Sequence, residues 1–209
     1  MKITSVKFEG SKIQSNQLFL SNFPEYAFIG RSNVGKSSLI NWITNRRKLA
    51  KVSSTPGRTQ FVNPFLINHK WYLIDLPGYG YSSICQKKKE KTQKLMMDYI
   101  FYRKNLVNLF LLIDSRIFMQ KSDIHFIKKL KIFQIPFCIV FTKTDKIHPR
   151  ILNKNIEFCK KEFEKILFEM PKYFKVSIKN RIGRDKIIQY IQNINEIFKK
   201  ILQGKTKDP

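Results

Sequence analysis

Eight residues, Gly30-Arg31-Ser32-Asn33-Val34-Gly35-Lys36-Ser37, fit the pattern GxxxxGK[ST] and sit between an apolar run and a helical pattern. Glycines in such a loop let backbone N–H groups curl around phosphate oxygens, and the following helix adds the positive end of its dipole. Lys36 brings a point charge to the β- and γ-phosphates, and Ser37 offers a hydroxyl to Mg²⁺. A second segment, Asp75-Leu76-Pro77-Gly78, closes another apolar run. A carboxylate there can hold Mg²⁺ through water, while the Gly78 N–H can meet a terminal phosphate and shift when it leaves. By itself Asp-x-Pro-Gly is also an ordinary turn. Its place downstream of the first loop makes it the second phosphate motif.

Thr142-Lys143-Thr144-Asp145 follows a third apolar run. A carboxylate at Asp145 pairs bidentately with the N1–H and N2–H₂ donors of guanine, which adenine lacks, so this residue would select GTP over ATP. The Lys143 stem can lie along the base, and Thr142 stands where many GTPases have Asn. Val176-Ser177, followed by Ile178, would present a backbone N–H to the guanine O6. Between the first two strands lies a loop rich in Gly, Pro and Thr, Ser53 to Gln60, which suits a switch whose threonine reaches Mg²⁺ only when the γ-phosphate is present. Thr55 and Thr59 both qualify by chemistry; Thr59 is favoured because it stands just before the chain returns as a strand. Gly57, Arg58, Gln60 and Phe61 flank it and complete the expected nucleotide-contacting set.

Positioning these loops requires strands that end at one edge of a sheet. Strands are expected at Tyr26–Ile29, Phe61–Ile67, Trp71–Ile74, Val107–Ile113, Phe137–Phe141 and Phe174–Val176. Helices are expected at Lys36–Ile43, Lys87–Arg103, Lys121–Phe133, Pro149–Phe168 and Arg184–Leu202. The link Asn68–Lys70 is too short for a crossover helix, so the second and third strands form an antiparallel hairpin. The alternation predicts a three-layer α/β domain: a mostly parallel six-stranded sheet with one antiparallel strand and helices on both faces. Residues 1–23 read as an N-terminal extension packed on that domain, 24–203 as the domain, and 204–209 as a short polar tail.

The 209 residues carry 40 Lys and Arg against 15 Asp and Glu, a net charge of +25, which favours polyanionic partners but does not name one. Abundant Lys, Ile, Asn and Phe also fit A/T-rich coding, so part of that charge need not be functional. The run Gln86 to Lys91 begins the helix after the second motif, where cations could dock on RNA. Cys85, Cys138 and Cys159 form no CxxC, and His69, His125 and His148 form no metal pairing, consistent with a reducing cytoplasm. No apolar stretch approaches a membrane span.

With these motifs in order, the chain resembles the EngB (YihA/YsxC) family of TRAFAC P-loop GTPases over about Pro24 to Leu202. The family-specific stretches are Gly30 to Asn41, Thr55-Pro56-Gly57-Arg58-Thr59-Gln60 and Asp75-Leu76-Pro77-Gly78-Tyr79-Gly80-Tyr81. The resemblance implies a Mg²⁺-dependent, GTP- and GDP-binding switch in assembly of the large ribosomal subunit, needed for normal cell division and septation. Its expected partners are large-subunit particles and ribosomal RNA, with cell-division proteins as further candidates, and its expected state is monomeric. It supports Ser37 and Thr59 as Mg²⁺ ligands beside Asp75, with Lys36, Thr59 and Gly78 as the catalytic set. Asn33 matches a position that holds a monovalent cation in some relatives, which leaves K⁺ stimulation open. Tyr79 stands where Ras-like enzymes place a water-orienting glutamine, so slow intrinsic hydrolysis is expected. The rival readings are a septation factor acting through a protein partner and a P-loop ATPase or kinase; Asp145 disfavours the last.

Overall fold

Tyr26 and Phe28 point to one side of their strand and Ala27 and Ile29 to the other, and all four are fully buried. A strand apolar on both faces must be covered on both. The computed structural model, which describes residues 1–12, 22–50, 61–79 and 86–205 (backbone alone at 86–89 and 204–205), shows how. In chain order the elements are β1 (Val6–Phe8), β2 (Glu25–Gly30), α1 (Lys36–Thr44), β3 (Asn63–Ile67), β4 (Trp71–Asp75), α2 (Gln86–Tyr102) and β5 (Leu106–Asp114). They continue with α3 (Lys121–Ile132), β6 (Phe137–Thr142), α4 (Pro149–Leu167), β7 (Tyr173–Lys175) and α5 (Arg184–Lys205).

The strands form one sheet in the order β1-β3-β4-β2-β5-β6-β7. Strand β3 pairs antiparallel with β1 and β4, so it alone runs against the others. The remaining pairings, β2 with β4 and β5, β5 with β6, and β6 with β7, are parallel. The hairpin of β3 and β4 is therefore as expected. Among the described residues the sheet holds one strand more than the six read from the sequence, because Val6–Phe8 adds β1 along β3. Three residues, mostly exposed, carry no periodic signal; Ile3 and Val6 reach the core only through the pairing. At the other end α5 runs through Lys205, two residues into the stretch read as tail.

Helices α2, α3 and α4 cover one face through Tyr99, Phe126, Ile127 and Phe163; α1 and α5 cover the other through Leu39, Ile40, Ile43, Ile187 and Ile191. Local chemistry fixes where the helices start. Gly35, at φ 100°, precedes α1; the Asp123 carboxylate accepts the Gln120 N–H at the start of α3 (2.8 Å); Pro149 opens α4. Strand β2 is the point where connections leave toward opposite edges, so the crevice at its carboxyl end is where a ligand belongs.

At the opposite end of β2, fully buried Glu25 accepts hydrogen bonds from Tyr99 Oη (2.6 Å) and Arg103 Nη2 (2.5 Å), pinning α2 to the sheet. Removing one partner of a buried pair strands the other charge at a cost of about 3–5 kcal/mol. Arg103→Ala should therefore lower the thermal midpoint by roughly 10 °C. An unchanged melting curve by circular dichroism would show that Tyr99 alone satisfies Glu25.

Candidate functional site

The loop after β2 is shaped by two close approaches. A Cβ on Gly30 would lie 2.8 Å from the Leu112 carbonyl and 2.9 Å from Val34 Cγ1, so only glycine fits. Asn33 and Gly35 take positive φ, 62° and 100°, which turns the loop onto the first turn of α1. Gly78 meets the same loop from β4: a Cβ there would lie 2.8 Å from the Gly30 carbonyl oxygen and 3.5 Å from the Ser32 nitrogen. Arg31 and Tyr79 are bridged in parallel fashion beside it. The two phosphate motifs are thus in direct backbone contact. Lys36 and Asp75, both buried, form an ion pair across that junction. Leu76 and Pro77 are buried behind it, and Ser37 is half-buried at the start of α1.

The third and fourth motifs are tied to the first by side chains. Thr142 Oγ1 donates to the Val34 carbonyl (2.7 Å), and Lys143 Nζ donates to the Asn33 carbonyl (2.6 Å). Thr144 N–H donates to the Val176 carbonyl (3.2 Å), and Ser177 Oγ donates to Asp145 Oδ1 (2.7 Å). Ser177 is fully buried, Val176 nearly so, and Ile178 is more than a third exposed. The structure therefore brings together residues 30–37, 75–79, 142–145 and 176–178. Phe61 is 39% exposed, beside Val62, which pairs with Lys12. Thr55, Gly57, Arg58, Thr59 and Gln60 lie outside the described residues.

Two parts of the site rest on contacts that no motif in the sequence announces. Asp114, the last residue of β5, accepts bonds from Arg116 Nη2 (2.7 Å) and Nε (2.9 Å) and from Lys143 Nζ (2.8 Å). Burial works to raise the Asp114 carboxyl, but the hydrogen bonds from Arg116 and Lys143 outweigh it and hold it down at about 2. An acid closing an apolar strand, as Asp75 does, was the available signal. Tyr79 is the second part: its ring stacks on Phe126 (4.6 Å) and its hydroxyl donates to Asp123 Oδ1 (2.9 Å). Burial foremost, then the Asp123 carboxylate, pushes that hydroxyl well above its usual range.

Among the described residues no group of three or more His, Cys, Asp and Glu could hold a metal ion. The hydroxyl of Ser37 and the carboxylate of Asp75 are hard oxygen donors, few in number. That set fits a Mg²⁺ ion held jointly with phosphate oxygens and water, rather than one caged by protein alone.

The sequence profile described as "50S ribosome-binding GTPase" matches residues 25–143. The chain is 50% identical to the probable GTP-binding protein EngB of Bacteroides thetaiotaomicron, covering 95% of this chain and 99% of that protein. It is 49% identical to the probable GTP-binding protein EngB of Christiangramia forsetii over 93% of this chain and 98% of that one. Among solved structures, a probable GTP-binding protein engB superposes with TM-score 0.66 at 23% identity, covering 82% of this chain and 98% of the other, and shows the same fold.

The Asp114 cluster has a defined pH dependence. Its folded-state pKa lies below the ordinary carboxylate value, so its contribution is complete above about pH 4 and fades as pH falls toward about 2. Asp114→Asn should cost about 2 kcal/mol at neutral pH. The gap between wild-type and variant melting midpoints should close on acidification. A gap that stays constant across the titration would show that the carboxylate charge contributes nothing.

Proposed function

Because the chain belongs to the EngB family of GTP-binding proteins, and is a GTPase, we propose that it works as a Mg²⁺-dependent switch in assembly of the large ribosomal subunit. The observation that carries this reading is the junction at Gly30 and Gly78, where no side chain could separate the two phosphate motifs. In the proposed mechanism, N–H groups of residues 31–36 wrap the phosphates, and Lys36 turns from Asp75 to the β- and γ-oxygens. Ser37, Asp75 and Thr59 would hold Mg²⁺, which would neutralise charge on the phosphates. The Gly78 N–H meets the γ-phosphate. Arrival or loss of that group is felt at Tyr79, the next residue along the chain, which is bridged to Arg31 of the first loop.

At the base end, the Lys143 stem lies along one face of guanine, Asp145 accepts from its N1–H and N2–H₂, and the backbone at Ser177–Ile178 donates to O6. The Ser177 hydroxyl orients the Asp145 carboxylate. Hydrolysis is slow in this reading. The residue after Gly78 is a tyrosine whose hydroxyl is committed to Asp123, so it cannot orient an attacking water. A partner, here the maturing subunit, completes the site.

Two measurements test the proposal. Wild-type protein should co-sediment with large-subunit particles in the GTP state and largely leave them in the GDP state. Equal sedimentation with both nucleotides, or with neither, would remove the switch. Asp145→Asn should weaken GTP at least about tenfold and improve xanthosine triphosphate, because asparagine can donate to the extra xanthine carbonyl. If the variant keeps its guanine preference in a competition assay, Asp145 is not the base reader.

A further inference from the structure

We propose that the loop Ile117–Phe118 and one stripe of α4 form a platform for unpaired ribosomal RNA, with aromatic rings for bases and lysines for phosphates. The proposal rests on the ribosomal reading above and deepens it by assigning the contact surface. Ile151, Lys154, Phe158 and Lys161 recur at spacings of three and four, so they share one face of α4, and all four are exposed. Phe118 packs against Phe158 (centroids 4.9 Å apart, planes at 59°), which joins the loop to that stripe. Between 39% and 51% of Ile117, Phe118, Ile151 and Phe158 is exposed. Four large exposed apolar side chains on one loop and one helix stripe, joined at the Phe118–Phe158 contact, mark a contact region.

Charge decides the occupant. The exposed charged residues between Pro149 and Lys161 are Arg150, Lys154, Lys160 and Lys161 against Glu157; Lys160 lies 3.9 Å from Glu164 one turn on, which leaves Arg150, Lys154 and Lys161 as the cations of the stripe. Cations interleaved with aromatic rings are what a single-stranded or looped polynucleotide requires: base faces stack and phosphates are neutralised. An apolar protein partner would leave these lysines to be desolvated without compensation.

The platform is also rigidly connected to the nucleotide site. Asn155 Nδ2 donates to the Ser115 carbonyl (2.8 Å), fixing α4 to the end of β5. One side of the loop is held through Arg116 by Asp114, which also holds Lys143. Its other side ends at Gln120, whose N–H is capped by Asp123, the acceptor of the Tyr79 hydroxyl. Lys143 and the residue after Gly78 are therefore connected to the two ends of the loop, each through one carboxylate.

The test measures binding of the full chain to deproteinised large-subunit ribosomal RNA across a salt series, with GTP affinity as the fold control. Lys154→Glu with Lys161→Glu should weaken RNA binding about tenfold and reduce the salt slope by roughly 1.4–1.8, since each of the two phosphate contacts contributes about 0.7–0.9. Phe158→Ala should weaken binding about fivefold or more with the slope unchanged, because stacking releases no counterions. Reversing Lys199 and Lys200, exposed on α5 across the sheet, should change little. If the α5 reversal costs as much as the α4 reversal, or Phe158→Ala binds like wild type, the platform is wrong while the ribosomal reading stands. If wild type binds neither the RNA nor intact particles, the ribosomal reading itself fails.

Discussion

Lys36 opens α1 and Asp75 closes β4, and their ion pair is buried where two chain segments 39 residues apart meet. Neither ion could be buried alone at tolerable cost, so each depends on the other. The pair is possible because β2 and β4 run parallel in register, with Phe28 opposite Asp75, so that both strands deliver their loops to one edge. From that single adjacency follow the contact of Gly78 with Gly30 and the bridge of Arg31 with Tyr79. A buried ion pair is poor evidence for stability. Its value here is placement: a cation and a carboxylate are held at the junction through which charged groups would enter.

The parts legible in the sequence were those whose chemistry needs neighbours along the chain. The GxxxxGK[ST] loop, the strand-end acid Asp75 and the Thr142–Asp145 run each combine a turn with an apolar strand, and β2, β4, β6 and α1 appear within a residue or so of their expected bounds. What escaped reading spans long separations. Lys143 to Asp114 crosses 29 residues and Tyr79 to Asp123 crosses 44, and no spacing rule connects them. Ending β5 at Ile113 left Asp114 outside its strand. Tyr79 is legible as part of the Asp75–Tyr81 stretch and as a residue that is not glutamine, but its burial against Phe126 depends on where α3 lands. Strand β1 has no detectable signal because three residues, two of them exposed, are too few to show a period.

The two thiols among the described residues have a simple structural account. Cys138 faces the core under α5 and Cys159 the core under α4. Burial pushes both up to about 12, so neither carries appreciable thiolate at neutral pH. They pack as small apolar groups. The chemistry of the described chain is concentrated in oxygen, nitrogen and positive charge at the carboxyl edge of the sheet.

The sheet begins and ends with strands of only three residues, β1 and β7. A sheet edge is a row of unsatisfied N–H and C=O groups on which a second chain can polymerise, and short edges offer little template. That matters for a chain with 18 phenylalanines. Five-residue β3 would be the longer edge if β1 did not lie along it. Because β1 precedes β3 in the chain, vectorial synthesis makes the cover before the strand that needs covering. The nascent sheet can then grow from a blocked border and close with β7, with little aggregation-prone edge exposed on the way.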